Sequence, residues 1–261
     1  MRRRPHRVKF GRRLIRPGDI QFFRKVLIKW YATSGRQFPW RRTGASRFHQ
    51  IISEILLQRT RAETVAAFWA AFLTRFPSWS SLAAASIEEV EALLKPIGLS
   101  AQRAPRLKAL ATAITTRSGR FPSTRDEIEA LPGVGQYIAN AVLLFCFDKP
   151  HPLVDVNMAR VLERFFGPRK LADIRYDPYL QQLAHAVVSS KHPRNLNWAI
   201  LDLAAKLCTI SDPLCERCPL SARCKYRQKR RQSHGLKKKR LSRAWRESTN
   251  PPPSHRGGEV L

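Results

Sequence analysis

The residue best placed to act as a catalytic acid group is Asp155. A Leu-Pro-Gly-Val-Gly turn begins a helix near Gln136, and Asp155 lies twenty residues after the second glycine of this turn. Gly133 and Gly135 tolerate positive φ and have no Cβ to hold an anion away, and the first N–H groups of the next helix are free to bind a phosphate. A plain helix–turn–helix corner gives the same local pattern. With the carboxylate that follows, the turn predicts chemistry on a nucleic acid.

A second pattern, C-x6-C-x2-C-x5-C, consists of four cysteines: Cys208, Cys215, Cys218 and Cys224. Thiolates so closely spaced can converge on one centre, either a zinc ion or an iron–sulfur cluster. Zinc sites more often use two CxxC pairs set well apart, so the single pair favours iron–sulfur. The fifth cysteine, Cys146, lies in an apolar segment and is predicted to be a buried structural thiol.

The charge of the chain indicates a polyanionic partner. It has 48 Lys and Arg against 19 Asp and Glu, a formal net charge of +29. Residues 1–17 carry eight basic and no acidic side chains, and residues 225–261 carry twelve basic and two acidic ones. We expect both tails to be disordered and to raise salt-sensitive DNA affinity. Because no apolar run has membrane length, we expect no membrane association and an intracellular protein, in the cytoplasm or nucleoid. We also expect a monomer.

The segments that must position these groups are all predicted to be helices. Apolar residues recur at helical spacing in residues 48–56 and 158–166, and the same periodicity covers about 63–75, 87–95, 103–117, 125–130, 136–147 and 196–207. Proline and glycine separate these segments, and no β alternation stands out. The sequence predicts an all-α fold with short loops.

Together these motifs resemble the helix–hairpin–helix DNA glycosylase superfamily. LPGVGQYIANAVLLF followed by VDVN is similar to its helix–hairpin–helix and aspartate loop. The cysteine spacing resembles the [4Fe-4S] loop of the endonuclease III and adenine-mismatch glycosylase branches. FPWRR (38–42) and SEILLQRT (53–60) resemble the mismatch-specific members, and IGLSAQRAPRLKALA (97–111) the thymine–guanine mismatch glycosylases. The resemblance covers about residues 21–226.

The resemblance implies a fold and its boundaries. A six-helix barrel, residues 45–155, is expected to be inserted into an iron–sulfur cluster domain of residues 21–44 and 156–226, with DNA in the cleft between them. Residues 1–20 and 227–261 are expected to be basic disordered arms.

It also implies catalytic roles for four residues. Asp155, also suited to cap the helix that starts at Val156, is expected to stabilise positive charge at C1′ of the sugar. Glu54, otherwise a solvated surface residue, is expected to assist base departure or position water. Asn157 would orient the aspartate and the attacking water. Tyr137 occupies the position where bifunctional members carry the lysine that forms a Schiff base, so we predict a DNA N-glycosylase without efficient strand cleavage.

DNA contacts are expected from two segments. Gln58 and Arg59 occupy the position from which the family inserts a side chain into the gap left by the flipped base, although a plain surface arginine is equally compatible with the sequence. The turn before the Tyr137 helix is expected to hold the DNA backbone through Leu131, Gly133, Val134, Gly135 and Gln136.

The substrate is expected to be double-stranded DNA with a mismatched or damaged base. Thymine or uracil opposite guanine is the first expectation, and adenine opposite guanine or 8-oxoguanine is the alternative. The adenine enzymes continue into a C-terminal reading domain and carry an aromatic pair where this chain has Ser100-Ala101. A non-catalytic DNA-binding module is the remaining possibility, opposed by the joint presence of the four catalytic candidates.

Overall fold

A computed structural model describes residues 8–11 and 13–233. The described chain folds into eleven α-helices, a short hairpin and a last helical segment over residues 225–233. The helices are α1 (Pro17–Ser34), α2 (Arg47–Leu56), α3 (Ala62–Arg75), α4 (Trp79–Ala84), α5 (Ile87–Leu94), α6 (Ser100–Thr115), α7 (Arg125–Glu129), α8 (Gln136–Cys146), α9 (Val156–Phe166), α10 (Pro178–Val188) and α11 (Pro193–Lys206). The predicted all-α character is confirmed, apart from the hairpin.

The hairpin corrects two expectations from the sequence. Strands β1 (Val8–Phe10) and β2 (Arg13–Ile15) pair antiparallel, where the sequence showed no β pattern. Phe10 and Ile15 are buried, and the Gly11 N–H donates to Gln182 Oε1 at 2.8 Å. The prediction of a disordered arm is therefore wrong for residues 8–11 and 13–20, because two apolar side chains anchor the hairpin on α10. Three-residue strands are too short to show an alternation in the sequence.

The predicted C-terminal arm is also ordered where it begins. Residues 227–233 are helical and continue the segment that starts at residue 225. The remaining parts of the predicted arms, residues 1–7 and 234–261, lie outside the described residues.

Two hydrophobic clusters organise the molecule. The first is built by residues between 38 and 153, together with Trp198 of α11. The second is built by the hairpin, α1, α9, α10, α11 and Leu220. The chain therefore leaves the second cluster after α1, forms the first, and returns at α9. Asp155 lies at this return crossing.

Buried ion pairs fix the outward crossing between α1 and α2. Asp202 of α11 is fully buried and accepts from the Arg36 Nε and backbone N–H, both at 2.8 Å, and from Arg41 Nη1 at 2.9 Å. The Arg41 guanidinium also lies 5.0 Å from the Phe38 ring centre and 5.3 Å from that of Trp198. Since Trp198 belongs to the first cluster and its helix to the second, this network holds the two clusters together.

Within the part of the chain that the structure describes, no helix is both long enough and apolar enough to cross a membrane.

Candidate active site

Glu54 is a buried carboxyl group on α2. Glu54 is only 3% exposed, because α2 packs against α8 and most faces of α2 are buried. Desolvation by this burial, opposed by a hydrogen bond from Tyr137, raises the pKa of Glu54 from 4.5 to about 7. The alternative of a solvated surface glutamate is wrong. Near neutral pH the group can carry a proton.

Tyr137 lies in the first turn of α8 and donates its hydroxyl to Glu54 Oε2 at 2.7 Å. Desolvation, with the negative charges of Glu54 and Asp155, raises the pKa of Tyr137 well above its ordinary value. The phenol therefore stays protonated and acts as a hydrogen-bond donor. A carboxylic acid can accept at one oxygen and donate from the other, so this bond leaves Glu54 able to give up a proton.

Asp155 is the N-cap of α9, as its position before Val156 indicated. Its Oδ1 accepts from the backbone N–H groups of Asn157 at 3.0 Å and Met158 at 2.7 Å. Its Oδ2 accepts from Asn157 Nδ2 at 2.6 Å. The N-terminus of α9, the positive end of its helix dipole, thus lies against this side chain. Asp155 is thus fixed in one orientation by three hydrogen bonds.

A chain of hydrogen bonds continues from Asn157 to the cysteine loop. Arg160 donates from Nη2 to Asn157 Oδ1 at 3.1 Å and from Nε to the Cys208 carbonyl at 2.8 Å. This link could not be predicted from the sequence, because Arg160 and Cys208 lie 48 residues apart. The side chain that orients Asp155 is therefore itself oriented by the segment that carries the cysteines.

Glu54, Tyr137 and Asp155 face one cleft of about 1270 Å³. Its walls come from both clusters: residues 54–63, 99–106 and 137 on one side, and residues 155–157, 174, 201 and 205 on the other. Asp155 is close enough to Glu54 to raise its pKa, and Arg41 close enough to lower it. None of the residues that line the cleft in the described chain is a lysine.

The turn that leads into α8 has one glycine in a special conformation rather than two. Gly133 has φ +72°, whereas Gly135 has φ −103°, an ordinary value, so the sequence-based argument from positive φ holds only for Gly133. Gly135 is the N-cap of α8, and a Cβ there would meet no atom within 4 Å. Leu131 and Val134 are buried, so these two side chains anchor the turn in the core. Only backbone atoms of these two residues could meet DNA.

A second turn, Gln58–Thr60, closes α2 at the cleft. Gln58 and Arg59 are exposed, and Arg59 has φ +58°. Across the cleft wall Leu99 is 42% exposed with φ +56°. Non-glycine residues held in this conformation are strained and concentrate at functional sites. The sequence analysis did not single out Leu99; its place directly after Gly98, at the start of a helical segment, was the available signal.

The four cysteines of the C-terminal loop share one neighbourhood. Cys208, Cys215 and Cys224 each raise the pKa of the Cys218 thiol, after the larger effect of burial, which brings it to about 11. Arg164 Nη1 lies 3.4 Å from Cys208 Sγ. Among the described residues, no three His, Cys, Asp or Glu side chains are placed to hold a single metal ion. Four thiols in one neighbourhood are the donor set of either an iron–sulfur cluster or a zinc ion.

The predicted role of Cys146 agrees with its surroundings. It is buried in α8, and desolvation raises the pKa of its thiol to about 11. It is therefore a protonated core side chain.

Residues 52–183 match the family model of the HhH-GPD superfamily base excision DNA repair protein. The chain is 40% identical to a thymine-DNA glycosylase of Aeropyrum pernix, over 80% of this chain and 96% of that protein. It is 31% identical to the Homo sapiens adenine DNA glycosylase, over 86% of this chain but only 43% of that longer protein.

Solved structures agree with this relationship. A thermostable thymine-DNA glycosylase superposes with a TM-score of 0.72 at 33% identity, covering 81% of this chain and 98% of the other. Endonuclease III trapped on DNA superposes with a TM-score of 0.70 at 21% identity, covering 83% of this chain and 99% of the other, a likeness of fold. The predicted helix–hairpin–helix glycosylase fold is confirmed, and the chain belongs to the HhH-GPD superfamily of base excision DNA repair proteins.

Proposed function

We propose that this protein is a monofunctional DNA glycosylase that removes thymine or uracil from mismatches with guanine. The observation that carries the proposal is the convergence of three groups in one cleft: the fixed carboxylate of Asp155, the buried acid Glu54, and the Tyr137 hydroxyl that binds it. A carboxylate beside the sugar and an acid that protonates the leaving base both assist cleavage of an N-glycosidic bond, and Asp155 and Glu54 supply these two groups.

The reaction begins with a nucleotide flipped out of the duplex into the cleft. Glu54, whose pKa of about 7 leaves a large protonated fraction at neutral pH, donates a proton to a carbonyl oxygen of the departing pyrimidine as the bond from C1′ to the base breaks. The Asp155 carboxylate stabilises the positive charge that develops on the sugar. Asn157, bound to Asp155 Oδ2, holds that carboxylate and the water that adds to C1′; this water gives its proton to the Glu54 carboxylate, which restores the acid. The products are a free base and an abasic site.

The absence of a suitable amine supports a reaction that stops at the abasic site. Tyr137 stands where an amine would attack C1′, and a phenol cannot form an imine. Lys149, the next lysine after it, lies beyond the far end of α8 and donates to the Ser123 carbonyl at 3.4 Å. Strand cleavage through a Schiff base therefore has no nucleophile in the described cleft.

The choice of pyrimidine over adenine is supported by the relatives and by the cleft. The relative with 40% identity is a thymine-DNA glycosylase, and the human adenine glycosylase is more distant. Ser100 and Ala101 begin α6 where the adenine enzymes carry aromatic residues. Adenine opposite guanine or 8-oxoguanine remains the second candidate.

DNA is held by backbone and side-chain contacts around the cleft. The Gly133 and Gly135 turn, with Gln136 at the start of α8, presents N–H groups to a phosphate. Gln58 and Arg59 enter the duplex where the nucleotide has left, and Arg59 can donate to the edge of the unpaired guanine. Leu99 supports the duplex from the neighbouring corner.

The four cysteines are proposed to hold a [4Fe-4S] cluster, for which their shared neighbourhood provides the ligands. When bound, it would cross-link the loop that carries Arg223 and Lys225 and so stabilise the fold. We further propose that residues 45–155 form a barrel domain and residues 21–44 and 156–226 the cluster domain. The two hydrophobic clusters support this division except at Phe38, Trp40 and Trp198, which pack in the first cluster. We expect the protein to act as a monomer.

The direct test is incubation with labelled duplexes that contain T·G, U·G, A·G or A·8-oxoG, followed by gel analysis with and without hot alkali. We expect cleavage only after alkali, and only for T·G and U·G. The Asp155→Asn variant serves as the control, because it keeps the shape of the N-cap while removing the charge. It should bind U·G duplex and leave the base in place.

Three results would contradict parts of the proposal. Strand cleavage without alkali would reject the monofunctional assignment. Release of adenine alone would favour the second candidate. Tight binding to all four duplexes without any base release would leave a DNA-binding module.

A further inference from the structure

The barrel helix α6 carries an arginine that is buried beside the cleft. Arg103 is 8% exposed, and desolvation lowers the pKa of its guanidinium. Buried arginines are rare unless they are paired with an acid. The hydrogen bonds of Arg103 go to a backbone carbonyl and a hydroxyl group. A buried guanidinium whose hydrogen-bond partners are neutral groups is not explained by packing alone.

The partners of Arg103 both belong to the turn that closes α2. Its Nη2 donates to the Gln58 carbonyl and to Thr60 Oγ1, the latter at 2.8 Å. Thr60 Oγ1 in turn donates to the Ile97 carbonyl at 3.3 Å. The guanidinium therefore forms hydrogen bonds with the residues on both sides of Arg59, whose own side chain is exposed.

The same residue is tied to the second strained corner of the cleft. The Arg103 backbone N–H donates to the Leu99 carbonyl at 2.9 Å. Arg59 and Leu99 are two of the four non-glycine residues with positive φ in the described chain, and both line the cleft. Such conformations persist only where the surroundings enforce them. Arg103 contacts both corners, the Leu99 corner through its backbone N–H and the Arg59 turn through its side chain.

We propose that Arg103 is a positioning residue for base flipping, whose guanidinium holds the Gln58–Thr60 turn in the conformation that inserts Gln58 and Arg59 into DNA. The proposal rests on the glycosylase function proposed above and adds a residue that does not itself touch the reacting atoms. Without the hydrogen bonds from Arg103, the turn relaxes toward ordinary backbone angles. The side chains of Gln58 and Arg59 then lose their fixed position.

An unpaired nitrogen distinguishes this role from simple stabilisation. Arg103 Nη1 is buried and has no hydrogen-bond partner in the structure. An unsatisfied N–H group costs stability, and apolar side chains of similar size often replace buried charges without loss. Methionine would fill the same space without that cost, so stability alone does not account for the arginine.

Lys108 supplies a matched control on the same helix. Its Nζ donates to the carbonyls of Ala83, at 2.9 Å, and Ala85, so it also holds a turn through main-chain oxygens. That turn ends α4, and Lys108 is not among the residues that line the cleft. Lys108→Met therefore removes a comparable contact from the barrel without touching the Gln58–Thr60 turn.

The experiment compares Arg103→Met, Arg103→Lys and Lys108→Met in the full chain. The probe is a duplex with 2′-fluoro-deoxyuridine opposite guanine, whose glycosidic bond resists cleavage, and 2-aminopurine as the adjacent base. Flipping is read as the rise in 2-aminopurine fluorescence, and single-turnover excision is measured on U·G duplex. Thermal unfolding of each variant reports general stability.

We expect Arg103→Met to lose most of the fluorescence rise and to slow excision by roughly tenfold to a hundredfold, the cost of a misplaced group near a reacting centre. Arg103→Lys should recover part of both signals, since an ammonium can still donate to the turn. Lys108→Met should keep both signals within about twofold. In the Arg59→Ala background, Arg103→Met should add little, because both changes act on the same inserted side chain.

Equal flipping by Arg103→Met and the unaltered protein would overturn the inference while leaving the glycosylase assignment intact. An equal loss in Lys108→Met would also overturn it, since general loosening of the barrel would then explain the effect. A failure of the unaltered protein to excise uracil would instead reject the proposed function itself.

Discussion

Removal of one hydroxyl group, in Tyr137→Phe, tests how the acid in the cleft is controlled. The hydroxyl donates to Glu54 Oε2 at 2.7 Å and lowers the pKa of Glu54, while desolvation raises it to about 7. A hydrogen bond to a charged group contributes about 1.5–3 kcal/mol, and one pKa unit corresponds to about 1.4 kcal/mol. Without the hydroxyl, the pKa of Glu54 should therefore rise by about one to two.

The sign follows from the protonation state that the reaction needs. Glu54 acts as an acid, so activity is highest where it is protonated and declines as pH rises through its pKa. The alkaline limb of the excision rate should lie near pH 7 in the unaltered protein and move about 1–2 pH units higher in Tyr137→Phe. The phenylalanine keeps the ring and its packing, so the shift isolates the hydroxyl.

The assay is single-turnover excision of uracil from a U·G duplex between pH 5 and 9, with enzyme in excess and alkali to reveal abasic sites. Glu54→Gln provides the control, because an amide cannot titrate and the limb should disappear. An alkaline limb that persists in Glu54→Gln would refute the assignment of the acid. An unmoved limb in Tyr137→Phe would refute the role of the hydroxyl.

Four further outcomes follow from the same geometry. Because burial raises the pKa of Glu54 from 4.5 to about 7, its contribution to stability is present below pH 4.5 and lost by pH 7; Glu54→Gln should remove a pH-dependent loss of about 3 kcal/mol, measured by denaturant unfolding. Tyr137→Lys should form a borohydride-trapped adduct with DNA that the unaltered protein does not form. Arg160→Met, which frees Asn157, should lower the excision rate about tenfold with binding to U·G duplex unchanged, as checked by anisotropy. Purified protein should absorb near 400 nm and contain iron, and Cys218→Ser should lose both; a colourless protein with bound zinc would contradict the cluster.

Local patterns made much of the fold and site predictable. Apolar spacing located α2, α3, α5 to α9 and α11 with small errors at their ends, whereas the short helix α4 was not predicted. The cap formed by Asp155 could be expected from an acid directly before a helical segment. In contrast, α1 and α10 were not predicted. In α1 the apolar residues surround most of the helix, so no face stands out from the rest.

Contacts between segments far apart in the chain could not be predicted from the sequence. Glu54 and Tyr137 lie 83 residues apart, and only the packing of α2 on α8 shows that one binds the other. The same holds for Arg36 and Arg41, which meet Asp202 across more than 160 residues. An amphipathic pattern places Glu54 off the apolar stripe, and it cannot show that a neighbouring helix covers the polar side as well.

The identity of residue 137 decides both the reaction class and the protonation state of Glu54. A tyrosine there stays neutral, since burial and the two nearby carboxylates raise its pKa well above the ordinary value. It can therefore bind Glu54 and still leave the pKa of that group near 7. A lysine at the same place would be a cation between Glu54 and Asp155, would lower the pKa of Glu54, and would ionise it at neutral pH. The substitution that supplies a nucleophile for strand cleavage would thus remove the acid that assists base departure, whereas the neutral phenol lowers the pKa of Glu54 less than a cation would and leaves it near 7.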